Sequence, residues 1–568
     1  MRDDRAGMGG TRGSDPSDRP FDSVIDGGAA IVVGAGLAGL FTALTIARGL
    51  GAVPGSERTV TLVALDAPGR HASSGWAQGG IAAAMGAGDS PDAHAADTMA
   101  VGGGIVDPAV AAMVAHGVPA RVEDLLALGV PFDRDETGAL TLGREAAHSA
   151  NRIVKVSGDK AGAVITATLG QRVFETDTIR MLTGVEVQDL AVENGRITGV
   201  FAAAGPDRRM VMIRAPHVVL ATGGAGALYK VATAPLAMVG TGLGLAARAG
   251  AQVADAEFVQ FHPTGMALGV DPAPLATEAL RGEGAILTTQ SGERFMTALH
   301  PDGELAPRDV VARAIHARLA AGDTVYLDCR KALGASFADR FPTVYGFCRA
   351  AGLDPARDPI PIAPAAHYHM GGVAVDREGR STVPGLWACG EVSSTGLHGA
   401  NRLASNSLAE ALVFAGQIGM AVRDSTPEPV TGADRLPALV FDTPVGRHAS
   451  PVLARLRGIM TREVGLIRDR SSLVRAARDL HRMARQLRTT LVGPAAYGNV
   501  LAAATLIIAS AAERTESRGS HYRTDYPEPD PAWARRSATT LAAAESCLLD
   551  LAEEAAPGYD DPVWSART

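Results

Sequence analysis

Five short stretches of this 568-residue chain set imidazole, guanidinium, amide and hydroxyl side chains beside glycine turns. "EFVQFHPTG" carries Gln260 and His262, and "LATEALRGEGA" carries Thr277, Glu278, Arg281 and Glu283. "LAPRDVVARAIHARL" carries Arg308, Asp309 and Arg313, and "AAHYHMGG" carries His367 and His369. "GLHGANRLASNSLAEALVFAG" carries His398, Asn401, Arg402 and Ser405. Side chains of these types bind anions, and an arginine can take a carboxylate through two parallel N–H···O bonds. Each stretch alone also has an ordinary reading: "TEALRGEGA" as a solvated charged turn, "GANRLASNSL" as a helix cap. Together they lie in segments that otherwise read as core, which points to anion handling. His367 and His369 lack Cys or carboxylate companions at zinc-ligand spacing. The chain has no GxSxG elbow and no catalytic-cysteine signature.

Such groups need a scaffold, and "AAIVVGAGLAGLFTALTIARGL" supplies its clearest part. An apolar β-branched run ends at Val33, the turn Gly34-Ala35-Gly36 follows, and an Ala/Leu-rich helical pattern starts near Leu37 with Gly39 in its first turn. In this strand–turn–helix context GxGxxG reads as a dinucleotide site. The first glycine permits the turn, the second lets backbone approach a pyrophosphate, and the third lets helix pack on strand. The helix N-terminus offers N–H groups to the phosphates. "TVTLVALDA" reads as a second strand ending at Asp66, an acid for ribose hydroxyls or a plain surface acid. Two further strand-to-glycine junctions follow, at Thr222-Gly223-Gly224 and at Gly390-Glu391.

The expected architecture is therefore α/β: a Rossmann-like domain interrupted by an α+β capping insertion and followed by a C-terminal helical bundle. The expected boundaries are a disordered tail over 1–28, the nucleotide domain over 29–255 and again over 369–423, the insertion over 256–368, a Pro-rich linker over 424–450, and helices over 451–568. A net charge of −8 gives no reason to expect a nucleic-acid partner. No apolar stretch approaches the roughly 20 residues that cross a bilayer. Cys329, Cys348, Cys389 and Cys547 are widely spaced, which fits a reducing cytoplasm.

These stretches, with "SSGWAQGGIAA", "ATGGAG", "LWACGE" and "ESRGSHYRTDYP", resemble the succinate dehydrogenase/fumarate reductase flavoprotein family in order and content from about residue 29 to 530. The resemblance implies bound FAD and a cleft under the insertion for a C4 dicarboxylate. It implies FAD contacts from Gly34, Ala35, Gly36, Gly39, Ser73, Gln78, Gly79, Gly80, Thr222, Gly223, Gly224, Glu391, Ser407 and Leu408. His262, Thr277 and Glu278 would face one side of the substrate. His367, Arg402 and Ser405 would hold a carboxylate with help from Gln260. The implied catalytic group is Arg308 with His262 and Glu278, Arg308 serving as proton donor or acceptor, or electrostatically. Gripping both ends of the diacid fixes its C–H bond against the flavin for hydride transfer.

Respiratory members carry a FAD-linking histidine five residues before Gln78, where this chain has Ser73; His71 is out of register. Non-covalent FAD is expected. "NRLASNSLAEALV" and "EALRGEGA" resemble the branch that oxidises L-aspartate. Glu145 in "GREAAHSANRI" is the candidate partner for the amino group, or else a surface acid in a helix cap. Thr241 and Lys155 depart from the family pattern, the first where an FAD-contacting Asp is usual. The implied reaction takes L-aspartate to iminoaspartate with oxygen or fumarate as acceptor, the first step of de novo NAD synthesis, the product passing to quinolinate synthase. A soluble fumarate reductase or a succinate dehydrogenase flavoprotein subunit is the alternative, and a flavin protein without catalysis a further one.

Overall fold

The structure is a computed structural model and describes residues 23–51, 59–205, 208–425, 450–489 and 495–554. The elements that position the site are, in chain order, β1 (Ala30–Val33), α1 (Leu37–Gly49), β2 (Val60–Ala64), β3 (Ile179–Thr183) and β4 (Val218–Leu220), then β5 (Val259–Met266), β6 (Ile286–Thr289), α2 (Arg308–Ala320), β7 (Val325–Asp328) and β8 (Ile360–His369), and last β9 (Leu386–Ala388) and α3 (Asn406–Asp424).

Strands β9-β4-β1-β2-β3 form one sheet, parallel throughout. The runs "AIVV", "VTLVA" and "VVL" are buried along their whole length, as a sheet covered on both faces requires. Val33 pairs with Leu220 and Leu220 with Ala388, so the three glycine junctions leave one edge of the sheet side by side. Ligands of open parallel sheets bind at this carboxyl edge. Helix α1 packs on α3, with Leu40, Phe41, Leu412 and Phe414 in one core.

Two glycines make the turn possible. Gly34 has φ +113°, and a Cβ there would lie 2.3 Å from the Ala221 carbonyl oxygen. A Cβ on Gly39 would lie 1.8 Å from the Gly34 carbonyl oxygen, so α1 can cross the turn only with hydrogen at that point.

The insert between β4 and β9 builds its own antiparallel sheet, β5-β8-β7-β6, over a core that includes Leu287, Val311, Ile315, Leu327 and Ile360. Strands β5 and β8 pack against α2, and His262, His367, Tyr368 and Arg308 from these three elements face the parallel sheet's edge across one cavity.

The N-terminal expectation needs correction at its end: Ser23–Asp26 form a strand paired in parallel with Arg209–Arg214, so order begins before residue 29. The polar tail composition hid a short "SVID" strand. Most of the expected linker, 426–449, lies outside the described residues. Beyond it, Pro451–Glu463, Arg470–Thr489, Ala495–Glu513 and Leu541–Glu553 are helices. The same segment returns a strand, Ala538–Thr539, which pairs with Val253–Ala254. No helix among the described residues is long and apolar enough to cross a membrane.

Candidate active site

A cavity of about 730 Å³ lies between the parallel sheet's carboxyl edge and the insert. Gly34, Ala35, Gly36, Ser73, Gln78, Gly79, Gly80, Thr222, Gly223, Glu391, Ser407 and Leu408 all line it. Gly39 stays behind at the helix–strand crossing, and Gly224 backs onto the Glu391 carboxyl. At the start of α1 the N-cap Gly36 provides no side-chain cap, and Leu37 N–H donates to Ser74 Oγ at 2.9 Å.

This half of the cavity fits FAD. Ser73 Oγ, Gln78 Oε1 and Thr222 Oγ1 are buried without a hydrogen-bond partner, an arrangement that a polar ligand relieves. Asp66 also lines the cavity, and its Oδ2 accepts from His71 Nδ1 at 2.9 Å. Burial raises the Glu391 carboxyl to about 7, and its Oε1 accepts the His369 N–H. Thr241, the departure from the family pattern, lines the same wall; Lys155 does not line it.

The other half brings together Glu145, His262, Thr277, Glu278, Arg308, His367, Arg402 and Ser405. Arg308 opens α2. Its Nε donates to Glu278 Oε2 at 2.6 Å and its Nη1 to Gln260 Oε1 at 2.9 Å. Burial pushes the Glu278 carboxyl up, but Arg308 and Arg281 outweigh it and hold the group below the usual carboxylate value. Glu145 is buried, and its Oε2 accepts from Ser405 Oγ at 2.7 Å, so the surface-acid reading does not hold. Burial, aided by Glu278, raises its pKa. Ser405 holds this contact from a left-handed backbone conformation (φ +60°) immediately before α3.

Both histidines are neutral. Burial, then the nearby Arg308, depresses His262 and His367 well below the ordinary imidazole value. Their tautomers follow from their partners. His262 Nδ1 accepts from Thr264 N–H at 3.2 Å, so its proton sits on Nε2. Arg402 Nη2, which can only donate, meets His367 Nε2 at 3.3 Å, so His367 Nδ1–H donates to Thr233 Oγ1 at 2.8 Å.

Arg402 is the least satisfied group. Its Nη1 contacts, to Leu403 O and Ser407 Oγ, are 3.4 Å long, and its Nε has no partner. Burial and Arg308 lower its pKa to about 10, which leaves it cationic at neutral pH. Among the described residues no carboxylate forms an ion pair with it. A buried cation in this state calls for an anionic ligand.

Gln260, expected to help hold the carboxylate, instead lies outside the cavity behind Arg308. His369 also turns away, to the Ala256 carbonyl. The cause is a bulge: Phe261 pairs with Ala366 and Gln260 with Tyr368, leaving His367 as the extra residue on β8. The bulge breaks the alternation, so the adjacent His367 and Tyr368 both reach the cavity. His398 binds Glu410 and Tyr368, while Glu283 pairs with Arg340 at the surface. Thr233, Thr264 and Tyr368 went unread in the sequence. Of these only Tyr368, between two singled-out histidines, carried any signal.

Comparison with known proteins matches this geometry. Residues 29–408 match the family model described as an FAD binding domain, and residues 453–553 match the fumarate reductase flavoprotein C-terminal model. The chain is 47% identical to the L-aspartate oxidase of Caulobacter vibrioides, over 90% of this chain and 95% of that one. It is 41% identical to that of Bacillus subtilis, over 82% of this chain and 87% of that one. Among solved structures, the FrdA chain of E. coli quinol fumarate reductase superposes with a TM-score of 0.81 at 29% identity, covering 91% of this chain and 95% of that one. Mycobacterium smegmatis Sdh1 superposes with a TM-score of 0.74 at 32% identity, covering 90% of each chain. With a glycine cradle, a buried arginine without an ion pair and near full-length similarity in agreement, this chain belongs to the succinate dehydrogenase/fumarate reductase flavoprotein family, in its L-aspartate oxidase branch.

Proposed function

We propose that this chain oxidises L-aspartate to iminoaspartate, and that its FAD, held without a covalent bond, is reoxidised by oxygen or by fumarate. The observation that carries the reading is Glu145, a buried carboxyl placed among anion-binding groups, where an ammonium beside a diacid explains it. Ser73 offers no imidazole for a covalent flavin link.

In this reading Arg402, its Nη2 steadied by the Nε2 lone pair of His367, holds one carboxylate, and Thr277 with the Nε2–H of His262 meets the other. Fixing both ends orients the Cα–H bond and removes the freedom that a one-ended anchor leaves. Glu145 pairs with the ammonium and, with its raised pKa, takes the proton that leaves nitrogen as the C=N bond forms. The Cα hydrogen departs with its electron pair. FAD supplies the two-electron acceptor when bound. With fumarate as acceptor, Arg308 delivers the proton that carbon gains, and a proton taken from solvent and passed by way of the Glu278 carboxylate restores it. In aspartate oxidation Arg308 acts through its charge. The enzyme works in the cytoplasm, and quinolinate synthase consumes the short-lived imine.

Anaerobic reduction of the purified holoenzyme tests the reading. L-aspartate is expected to bleach the flavin and succinate to leave it oxidised, and acid precipitation is expected to release the flavin into the supernatant. Bleaching by succinate with no response to aspartate overturns it in favour of a succinate dehydrogenase or fumarate reductase subunit.

A further inference from the structure

A chain of hydrogen bonds runs behind the two arginines to the C-terminal segment. Arg308 Nη1 donates to Gln260 Oε1 at 2.9 Å. Gln260 Nε2 donates to Asn401 Oδ1 at 2.9 Å and to the Arg402 carbonyl at 3.0 Å. Asn401 Nδ2 donates to Asp309 Oδ1 at 3.1 Å. Asp309 Oδ2 pairs with Arg313 at 2.9 Å, and Arg313 Nη1 donates to the Gly519 carbonyl at 3.1 Å. The Arg313 guanidinium also lies 5.1 Å from the Tyr522 ring centroid. The same turn holds the backbone next to Asn401: Ser520 N–H donates to the Ala400 carbonyl at 2.9 Å.

The direction of this chain is fixed by its ends. Arg308 can only donate and the Asp309 carboxylate can only accept, so each amide turns its oxygen toward Arg308 and its NH₂ toward Asp309. Successive bonds with one sense polarise one another. Asp309 follows Arg308 in sequence, yet it acts on the Arg308 guanidinium through two side-chain amides. Gln260 and Asn401 are 1% and 2% exposed, so neither has water as a substitute partner. One branch point, Gln260 Nε2, ties the Arg308 guanidinium to the Arg402 backbone.

We propose that Asn401 is a positioning residue: through it the turn 518–521 of the C-terminal segment sets the guanidinium groups of Arg308 and Arg402 at the separation that a C4 dicarboxylate needs. The inference rests on the dicarboxylate reading above. Asn401 does not line the cavity, so it acts on the ligand only through Gln260, Asp309 and the chain it shares with Arg402.

The test uses the FAD-loaded full chain. Succinate binding is followed by the change in flavin absorbance, KM and kcat are measured with L-aspartate, and melting temperature is recorded alongside. Asn401→Ala is expected to weaken succinate binding about tenfold and to raise KM more than it lowers kcat. Arg313→Met, at the partly exposed outer end, is expected to weaken binding about threefold, with Arg313→Lys restoring it. Succinate affinity and KM within twofold of the parent in both Asn401→Ala and Arg313→Met overturn the inference, even if the melting temperature falls. If Asn401→Ala does not fold, Arg313→Met decides alone. A parent holoenzyme with no spectral response to succinate overturns the dicarboxylate reading itself, which separates that failure from a failure of the relay.

Discussion

The Arg402 guanidinium carbon lies 4.7 Å from the centroid of the Tyr368 ring, so the one buried cation without an ion pair in the described cavity rests on an aromatic face. The ring stabilises the charge without consuming an N–H, and the donors remain available to a ligand. Tyr368 is itself held, its hydroxyl lying 3.2 Å from both His398 Nε2 and Glu410 Oε2.

Replacing this arginine by lysine keeps the charge and removes the planar pair of donors. Arg402→Lys is expected to lower kcat/KM for L-aspartate by about a hundredfold or more, because a lysine gives point attraction without bidentate geometry. Steady-state kinetics on FAD-saturated protein check this, and activity within fivefold of the parent contradicts it.

Glu145 separates substrates. Glu145→Gln keeps the contact with Ser405 and removes the carboxylate. The kcat/KM for L-aspartate is expected to fall by about two orders of magnitude, as for loss of a charge pair and a proton acceptor. Fumarate, which has no amino group, is expected to bind as well or better, since one negative charge has left a site for a dianion. Parallel measurement of aspartate oxidation and fumarate binding distinguishes the two effects.

Stability should depend on pH through the buried histidines. Burial holds His148, His217 and His369 at about 4 in the folded chain. The unfolded chain binds a proton at each near 6.5, so between about 6.5 and 4 the unfolded state carries more protons and stability falls as pH falls. Each histidine contributes a slope of up to about 1.4 kcal/mol per pH unit in that window. Urea unfolding from pH 7 to pH 4.5 measures the slope. It should be shallower in His217→Gln, and an unchanged slope refutes the assignment for that residue.

Gly39→Ala tests the turn. Its Cβ would meet the Gly34 carbonyl oxygen, which belongs to backbone and cannot swing aside. The variant is expected to lose bound FAD on desalting and to be destabilised by about 3 kcal/mol or more, as overpacking at a fixed crossing predicts. Gly36→Ala meets Ser74 Oγ at 3.1 Å instead and is expected to be milder. Flavin content and melting temperature compare the two.

Where local spacing decides the outcome, sequence and structure agree. Gly34 and Gly39 sit between a β-branched run and an Ala/Leu helix, and there the first makes the turn and the second the close helix crossing, as that spacing demands. The junctions at Thr222 and Gly390, far apart in the chain, come together because parallel strands end at one edge. What sequence could not supply is direction within strands. By type and spacing His367 and His369 are equivalent in "AAHYHMGG", and only the family resemblance singles out His367; the bulge opposite Gln260 and Phe261 is what sends one into the cavity and the other to backbone. Gln260, expected at the substrate carboxylate, bonds to Arg308 instead, because depth, which periodicity does not encode, puts it behind the guanidinium. Thr233, far from any motif, reaches His367 through tertiary folding alone.

The polar half of the cavity is divided between two folding units: Arg308 and His262 come from the insert, Arg402 and Ser405 from the chain that returns after it. The Arg308 charge makes the charge on Arg402 more costly. On the dicarboxylate reading, a dianion between them offsets that repulsion and works as a rivet through both plates. On that reading the substrate is itself a structural component of its binding site.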